Sequence, residues 1–210
     1  MAGLRERQKA RRLQRILEVA RARFRRDGYE KVTIDSIAEE AEVSAVTVYN
    51  YYGTKAGLLL ALVKESDDLL IAQLRRLIDA LPLDPREAIA RFGQIMRHHA
   101  LTYLTKPTWR EVLAASIIEG GSEFGRTYAA LDRVLIGLMA DLVAAYQASG
   151  VLPDELDNEA FGDTLFGIQN IRFFQFIADD DLDDTEVDRL FRADIAGIFA
   201  ASIQKETDPA

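Results

Sequence analysis

Short hydroxyl-bearing and aromatic side chains occur at helical spacing between Ser44 and Tyr51. Thr47 and Tyr51 are one turn apart and share a helix face, and Ser44 and Val46 lie at its N-terminal end. Hydroxyl groups can bond phosphate oxygens and base edges, and methyl groups can contact thymine. This chemistry is typical of a helix that contacts double-stranded DNA. A surface helical hairpin whose tyrosines pack on a neighbouring element is the alternative.

Two other patterns could carry chemistry, but each lacks a required feature. His98 and His99 are the only histidines, and adjacent helical residues point to different faces, so they cannot jointly hold one metal ion. We expect a structural or pocket-lining role for both. Gly120–Thr127 reads G-x-x-x-x-G-R-T, in which Arg126 replaces the lysine of a phosphate-binding loop and no strand precedes it.

The acidic segment Asp179–Asp184 has aspartates at the first, third and fifth positions of a calcium loop. However, Asp184 occupies the obligatory glycine position and Leu190 the position of the closing glutamate. We therefore predict a solvated loop. The chain has no cysteine, which excludes disulfides, thiolate zinc sites and cysteine nucleophiles. We expect no catalytic residue, no metal site and no cofactor.

Two short helices are predicted to position the hydroxyl-bearing face. The first has one apolar stripe at i, i+3, i+4 and i+7, formed by Ile34, Ile37, Ala38 and Ala41. Thr33 precedes this helix and can cap its N-terminus. Ser44 can cap a second helix over Ala45–Tyr51, and Val43 can fill the angle between the two. Such a pair forms the helix-turn-helix that places a helix in the DNA major groove.

The segment Ile16–Leu62 resembles the N-terminal domain of the tetracycline-repressor (TetR) family of bacterial regulators. The residues that carry the resemblance are Ala20, Phe24, Gly28-Tyr29, Thr33–Ala38, Ala41, Val43-Ser44, Thr47–Tyr52, Lys55 and Leu58-Leu59. Two positions depart from the family pattern. Ala45 stands where a glycine is often found, and Gly53 replaces the usual phenylalanine or bulkier residue. The remainder of the chain resembles the family in length and helical layout.

The resemblance implies a homodimeric transcription regulator, a repressor, that binds a double-stranded and palindromic DNA operator. Thr33 and Lys55 are expected to hold phosphates, and Thr47 and Tyr51 to make base or sugar contacts. The full set of residues expected at the DNA is Thr33, Ser44, Ala45, Val46, Thr47, Tyr49, Tyr51 and Lys55.

The charges are distributed unevenly along the chain. The formal net charge is −8, but residues 1–55 hold 12 basic and 8 acidic residues, whereas residues 56–210 hold 14 and 26. A first helix is predicted from the apolar stripe Leu13, Ile16, Leu17, Ala20 and Phe24, with Gly28 as a left-handed stop. Much of the basic excess precedes the core of this helix, at Arg5, Arg7, Lys9, Arg11, Arg12 and Arg15. A basic N-terminal part and an acidic remainder favour docking on DNA by one end. This leader looks disordered in sequence and could reach a groove or phosphates; a charged terminus that only improves solubility is the alternative.

Helical periodicity continues to the end of the chain, and no strand-like alternation is found. We predict an all-α fold of two domains: a three-helix DNA-binding domain over residues 1–55 and a helical ligand-binding and dimerisation domain over residues 56–210. The predicted helices after Lys55 cover Thr54–Ala80, a stretch from Pro85, a shorter one after Pro107, then Phe124–Ser149, Asp157–Ala178 and Thr185–Gln204. The length of 210 residues is enough to bury a sizeable core.

The helix predicted over Asp157–Ala178 is apolar on almost every side. A helix that is apolar all round must be buried all round. In a chain of this size, we expect one face on its own domain and another on a second copy. The last two helices, about residues 157–204, are therefore predicted to form a homodimer, whose two-fold symmetry fits a palindromic DNA site.

The resemblance also implies a small-molecule effector bound between helices of the C-terminal domain. Aromatic side chains around a few amides suit an apolar or aromatic ligand. The candidate pocket residues are Phe92, Met96, Trp109, Ile117, Phe124, Tyr128, Phe166, Gln169, Asn170 and Phe173. Packing in an ordinary core is the alternative for each apolar member. The Thr54–Ala80 helix is the expected link between effector and DNA sites.

The basic N-terminus lacks a continuous apolar run, and the longest such run, Leu58–Val63, is too short to span a bilayer. A cytoplasmic protein that does not bind a membrane is therefore expected. Two other functions stay open from the sequence: a helical enzyme or small-molecule carrier with a vestigial front domain, and an architectural DNA-binding dimer without an effector.

Overall fold

The computed structural model describes residues 2–203, without the side chains of residues 2, 4, 5 and 201–203. The described chain forms nine helices and no strand, which confirms the all-α prediction. The helices are α1 (Ala2–Asp27), α2 (Ile34–Glu40), α3 (Ala45–Tyr52), α4 (Lys55–Asp79), α5 (Pro85–Tyr103), α6 (Lys106–Ile118), α7 (Glu123–Ala148), α8 (Asn158–Ala178) and α9 (Asp184–Ile203). The Arg5 side chain and Gln204, both used in the sequence predictions, lie outside the described part.

The chain divides into two compact units. The first spans Met1–Asp67 and Leu101–Ala130, and the second spans Asp68–Ala100 and Leu131–Ala210. The division falls within α4, α5 and α7, so each of these helices contributes residues to both units. In the described part of the chain, none of the helices has the length and apolar character needed to cross a membrane.

Helix α1 begins much earlier than the apolar stripe predicts. Its buried side chains start at Ile16 and continue through Val19, Ala20 and Phe24. The preceding leader, expected to be disordered, is instead helical from Ala2. Arginine, lysine, glutamine, glutamate and alanine all favour a helix, although none of them supplies an apolar stripe to detect. Gly28 follows the helix with φ of 82°, the left-handed conformation expected of a glycine at that end.

Lys55, the first residue of α4, ties the turn between α1 and α2 to the start of α4. Its ammonium donates to the carbonyl oxygens of Tyr29 at 2.9 Å, Val32 at 3.1 Å and Glu30 at 3.4 Å. The same nitrogen lies 4.1 Å from the centroid of the Tyr29 ring, within the range of a cation–π contact. An ammonium has three donors, so this arrangement uses all of them inside the first unit.

The second unit has one apolar core built from α4, α5, α7, α8 and α9. Its fully buried members include Leu74, Phe92, Met139, Leu165 and Phe191. α5 approaches α8 and α9 closely at Gly93, where a Cβ atom would lie 2.8 Å from both Gln169 Oε1 and Phe191 Cε1. Only glycine fits that crossing without displacing a neighbour.

A buried arginine joins α5 to α9. The Arg97 side chain is fully buried, and it donates to Asp184 at 2.8 Å and to Asp188 at 3.0 Å. Arg192 extends this network, bonding Asp188 and Glu87 at 2.6 Å each. A buried charge is tolerated when opposite charges and hydrogen bonds compensate it. The two aspartates therefore fix how the start of α9 packs on α5.

We expect Lys55→Met to lower the free energy of unfolding by about 1–2 kcal/mol, because three carbonyl oxygens lose their donor and two of those hydrogen bonds are partly buried. Lys64→Met is the matched control, since Lys64 lies on the same helix and is exposed. Urea unfolding monitored by circular dichroism measures both variants. Equal stability of the two variants would contradict the structural role of Lys55.

We expect Arg97→Met to lower the free energy of unfolding by about 3 kcal/mol, because two partly buried carboxylates lose the fully buried cation that they share. Arg91→Met is the control: Arg91 pairs with Glu87 at an exposed position, and such pairs contribute less than about 1 kcal/mol. Thermal unfolding of the two variants compares them. A loss for Arg97→Met no larger than that for Arg91→Met would show that the buried pairs do not hold α9 in place.

Candidate nucleic-acid interface

Thr33 caps α2, as the sequence predicted. Its hydroxyl accepts from the Ser36 backbone N–H at 3.1 Å, and the Thr33 backbone N–H donates to Ser36 Oγ at 3.3 Å. The two bonds form a reciprocal capping box in which serine takes the place usually held by glutamate or glutamine. They fix the direction in which α2 starts.

The turn from α2 to α3 contains no glycine, yet one of its residues has a left-handed backbone conformation. Glu42 has φ of 57°. The Val43 backbone N–H donates to the Ala38 carbonyl at 2.9 Å, which satisfies one of the last carbonyls of α2. A non-glycine residue in this conformation costs about 1 kcal/mol, so the surrounding packing must hold it there.

Ser44 caps α3, again as predicted. Its hydroxyl accepts from the Thr47 backbone N–H at 3.2 Å and lies 2.8 Å from the Thr47 hydroxyl. The two hydroxyls are thus engaged with each other and with the helix terminus. Ala45, the first residue of α3, has no side-chain atoms beyond Cβ, so its side chain leaves the backbone at the start of α3 accessible.

Val48 is the buried residue of α3 and defines its inner face. Residues two positions away are rotated by about 200° around a helix, so Val46 and Asn50 lie opposite Val48. Both are exposed, and Val46 exposes 66% of its surface. Thr47 and the exposed Tyr49 flank this outer face. The outer face of α3 is therefore formed by Val46, Thr47, Tyr49 and Asn50.

Asn50 is the one member of this outer face that the sequence analysis did not select. Its position could have been inferred from the sequence, because in a short helix with one buried residue the residues two before and two after it face the solvent. An asparagine amide can bond an adenine edge with both its donor and its acceptor. The face also contains no carboxylate that would repel phosphates.

Tyr51 lies beside the outer face rather than at its centre. Its ring centroid is 6.4 Å from that of Tyr52, and Lys9 Nζ of α1 is 5.8 Å from the Tyr51 centroid. Tyr52 is half-buried, and its hydroxyl donates to the Leu13 carbonyl at 3.5 Å. Burial raises the pKa of Tyr52 to about 12, so the phenol stays protonated at neutral pH. Tyr52 thus connects the end of α3 to α1.

The candidate pocket residues are divided between the two units. Trp109, Ile117, Phe124 and Tyr128 belong to the first unit, and the other six belong to the second. Ile117 is 73% exposed, so it does not belong to a buried lining. In the second unit, Phe92 and Phe166 are members of the apolar core, and Met96 packs against it.

Gln169 is the notable polar residue in that core. Its side chain is fully buried; Nε2 lies 3.8 Å from Met96 Sδ, and Oε1 has no hydrogen-bond partner. An unpaired buried amide oxygen costs about 1–3 kcal/mol. The nearby candidates Asn170 and Phe173 follow on α8; Phe173 is buried and Asn170 partly so.

A surface groove runs between α8 and α9. Its lining includes Thr164, Gly167, Ile168, Ile171, Gly197 and Ile198. Ile171 is 56% exposed, although the helix is apolar on most sides. Arg172 and Asp194 also line the groove and are joined by two hydrogen bonds of 2.6 and 2.7 Å. The second unit therefore leaves an apolar strip uncovered along its last two helices.

The remaining sequence patterns occupy ordinary structural positions. Arg126, in the glycine-containing segment, donates to the Gly121 carbonyl at the junction of α6 and α7. Asp184, in the acidic segment, is the first residue of α9 and accepts from Arg97 and His98. Within residues 2–203, the structure brings together no group of three or more acidic or histidine side chains suited to a metal ion.

Residues 16–62, which contain α1 from its first buried residue through α3 and into α4, match the family described as bacterial regulatory proteins, tetR family. A curated relative, the HTH-type transcriptional regulator EthR of Mycolicibacterium smegmatis, is 26% identical over 146 residues. That match covers 67% of this chain and 63% of the relative, so the chain spans just under two thirds of that protein's length.

Solved structures share the fold over most of the chain. A TetR-family transcriptional regulator from Pectobacterium atrosepticum superimposes with a TM-score of 0.68 at 20% identity, covering 98% of this chain and 99% of the other. The Thermus thermophilus repressor FadR, solved in complex with lauroyl-CoA, gives 0.64 at 22% identity, covering 89% and 92%. The helix-turn-helix match and the shared fold agree with the resemblance inferred from the sequence. Residues 16–62 therefore match the TetR family of bacterial regulatory proteins, and the chain as a whole shares the fold of these solved regulators.

Proposed function

We propose that this protein is a transcriptional repressor that binds a palindromic operator as a homodimer and leaves it when a small, largely apolar effector binds. The observation that carries the proposal is the outer face of α3. The buried Val48 and the caps of α2 and α3 fix the orientation of this face. It carries no acidic side chain, and its Val46 and Asn50 side chains have groups that can contact base edges. The proposal assigns no catalytic step to the chain and places it in the cytoplasm, where an operator is accessible.

The outer face supports direct base contacts in the major groove. Val46 offers methyl groups to a thymine methyl, and Asn50 offers an amide to an adenine. Thr47 and Tyr49 supply hydroxyl groups at the edges of the face for base or sugar contacts. Tyr51, set to one side, is better placed for the sugar–phosphate backbone.

The helix N-termini supply the phosphate contacts in this proposal. Thr33, Ser44 and Ala45 lie where backbone N–H groups and the positive end of a helix dipole favour an anion. Lys55 has its ammonium bonded to three carbonyls, so we assign it a positioning role at the start of α4 in place of a direct phosphate contact. Residues 1–55 remain the proposed DNA-binding domain, and residues 56–210 the effector and dimerisation domain.

The groove between α8 and α9 is the proposed homodimer interface. The exposed Ile171 and the partly exposed Ile168 and Ile198 lose contact with water when a second copy covers them. Gly167 and Gly197 allow helices to approach closely. A two-fold axis there relates two copies of α3. The proposal requires those copies to lie about 34–36 Å apart, or a multiple of that, on the DNA.

The second unit is the proposed effector site. The relative FadR was solved with lauroyl-CoA, a molecule with a long apolar chain. Here Phe92, Met96, Phe166 and Phe173 supply apolar surface, and the unpaired Gln169 oxygen supplies an acceptor. An effector that shifts the population from 1:99 to 99:1 needs a preference of about 5.5 kcal/mol for one state. α4, with residues in both units, is the proposed route by which that preference changes the spacing of the two α3 helices.

We expect Asn50→Ala to weaken operator binding by about 1–3 kcal/mol, because it removes a bidentate base contact. Fluorescence anisotropy with a labelled fragment of the gene's own upstream region measures the dissociation constant. Asn158→Ala on α8 is the matched control and should bind like the parent. Unchanged affinity for Asn50→Ala would contradict this assignment of the outer face.

We expect Ile171→Glu to convert the dimer to a folded monomer, since it places charge in the apolar groove without disturbing a buried side chain. Val151→Glu, at another exposed apolar position of the second unit, is the control and should stay dimeric. Analytical ultracentrifugation determines both masses. A dimeric Ile171→Glu variant would place the interface elsewhere.

A further inference from the structure

The first part of α1, residues 3–15, forms a helical extension that precedes the first buried residue of the helix. The side chains from Glu6 to Arg12 are all exposed, and Leu13 is the first partly covered one. At 1.5 Å per residue, the extension is about 20 Å long. Residues 6–12 have no buried side chain and gain nothing from core packing, so their basic side chains are available to a partner outside the chain.

The extension has two basic faces, one on the same side of α1 as the buried Ile16 and one on the opposite side. Lys9 and Arg12 lie seven and four residues before the buried Ile16, so they continue the face by which α1 packs into the first unit. Arg7 and Arg11 lie on the opposite side. In all, residues 3–15 carry six basic residues and one acidic residue. The face that is apolar further along α1 thus becomes basic at Arg12 and Lys9.

The Lys9 and Arg12 face lies next to the end of α3. Lys9 Nζ is 5.8 Å from the Tyr51 ring centroid, and the adjacent turn of α1 accepts the Tyr52 hydroxyl at the Leu13 carbonyl. These two contacts fix the side of α1 that borders α3. A duplex that receives the outer face of α3 therefore has its backbone close to Lys9.

We propose that the Lys9 and Arg12 face of the α1 extension binds phosphates of the operator beside the base pairs contacted by α3. The inference rests on the proposed function and adds to it a second DNA-binding element on each protomer. Double-stranded DNA carries one negative charge per about 1.7 Å, which complements a basic helix of this length. Cation–π contact at an exposed site is weak, so Lys9 can leave Tyr51 for a phosphate.

The salt dependence of operator binding tests the proposal, because each phosphate contact contributes about 0.9 to the slope of log K against log salt concentration. The test variant combines Lys9→Ala with Arg12→Ala. The matched control combines Arg7→Ala with Arg11→Ala, which removes the same charge from the same helix but from its other side. Alanine preserves helix propensity, and circular dichroism verifies the helix content of both.

The expected result is a decrease in slope of about 3–4 for the test variant as a dimer, from four lost contacts, and of less than about 1 for the control. Hydroxyl-radical footprints should also lose the protection outside the α3 contacts in the test variant alone. Lys9→Gln with Arg12→Gln must reproduce the result, which guards against an effect of the alanines on folding.

Two results would overturn the inference. Unchanged slope in the test variant would show that this face does not bind phosphate, and equal decreases in both variants would show only general attraction of a basic tail. Both differ from failure of the proposed function, in which the parent protein itself shows no preference for the operator fragment. Binding of the extension to an acidic protein segment instead would leave the operator footprint of all variants identical, and it would also refute the proposal.

Discussion

The burial of Val48 is the packing constraint on which the proposed DNA-binding surface depends. α3 has eight residues, too few to be a stable helix alone. Its orientation therefore comes from the Ser44 cap, from the buried Val48 and from the contact between α3 and α2. Because one side chain defines the inner face, the residues opposite it are determined as well. The burial of Val48 therefore also exposes Val46 and Asn50 to solvent. In our proposal these two residues contact DNA.

Lys55 shows how a charged residue typical of DNA contact can serve the fold instead. Its ammonium bonds three carbonyls from the turn before α2 and contacts the Tyr29 ring. The turn therefore cannot move freely relative to the start of α4. A displacement of the start of α4 would therefore move the turn before α2, and with it the α2–α3 pair, through Lys55. In our proposal this is the physical connection for the effector response within the first unit.

The sequence was sufficient where local chemistry decides the structure. The caps at Thr33 and Ser44, the left-handed Gly28 and the start of α5 at Pro85 all follow from side-chain or backbone properties of single residues. The all-α fold follows from apolar periodicity. The resemblance of the N-terminal segment to the TetR family rested on residues spread across the first three helices, and residues 16–62 match that family.

The sequence was insufficient where the partner or the depth of a residue decides its role. The helical extension of α1 has no apolar stripe, so periodicity could not detect it. The partners of Lys55 are carbonyls distant along the chain, which no residue type reveals. Ile117 belongs to an apolar helix pattern but lies exposed at the end of α6, since a pattern gives the face of a helix and not its depth. Which candidates surround an effector remains a prediction for the same reason.

The distribution of charge is consistent with a protein that meets DNA by one part only. Residues 1–55 carry a net positive charge, and residues 56–210 carry a larger negative one. The most direct test compares the affinity of the purified protein for its own upstream DNA with its affinity for a scrambled duplex of equal length and composition at physiological salt. The account predicts at least a 10³-fold preference for the upstream DNA, about the lower end for specific DNA-binding proteins. Equal affinities for the two duplexes would contradict it.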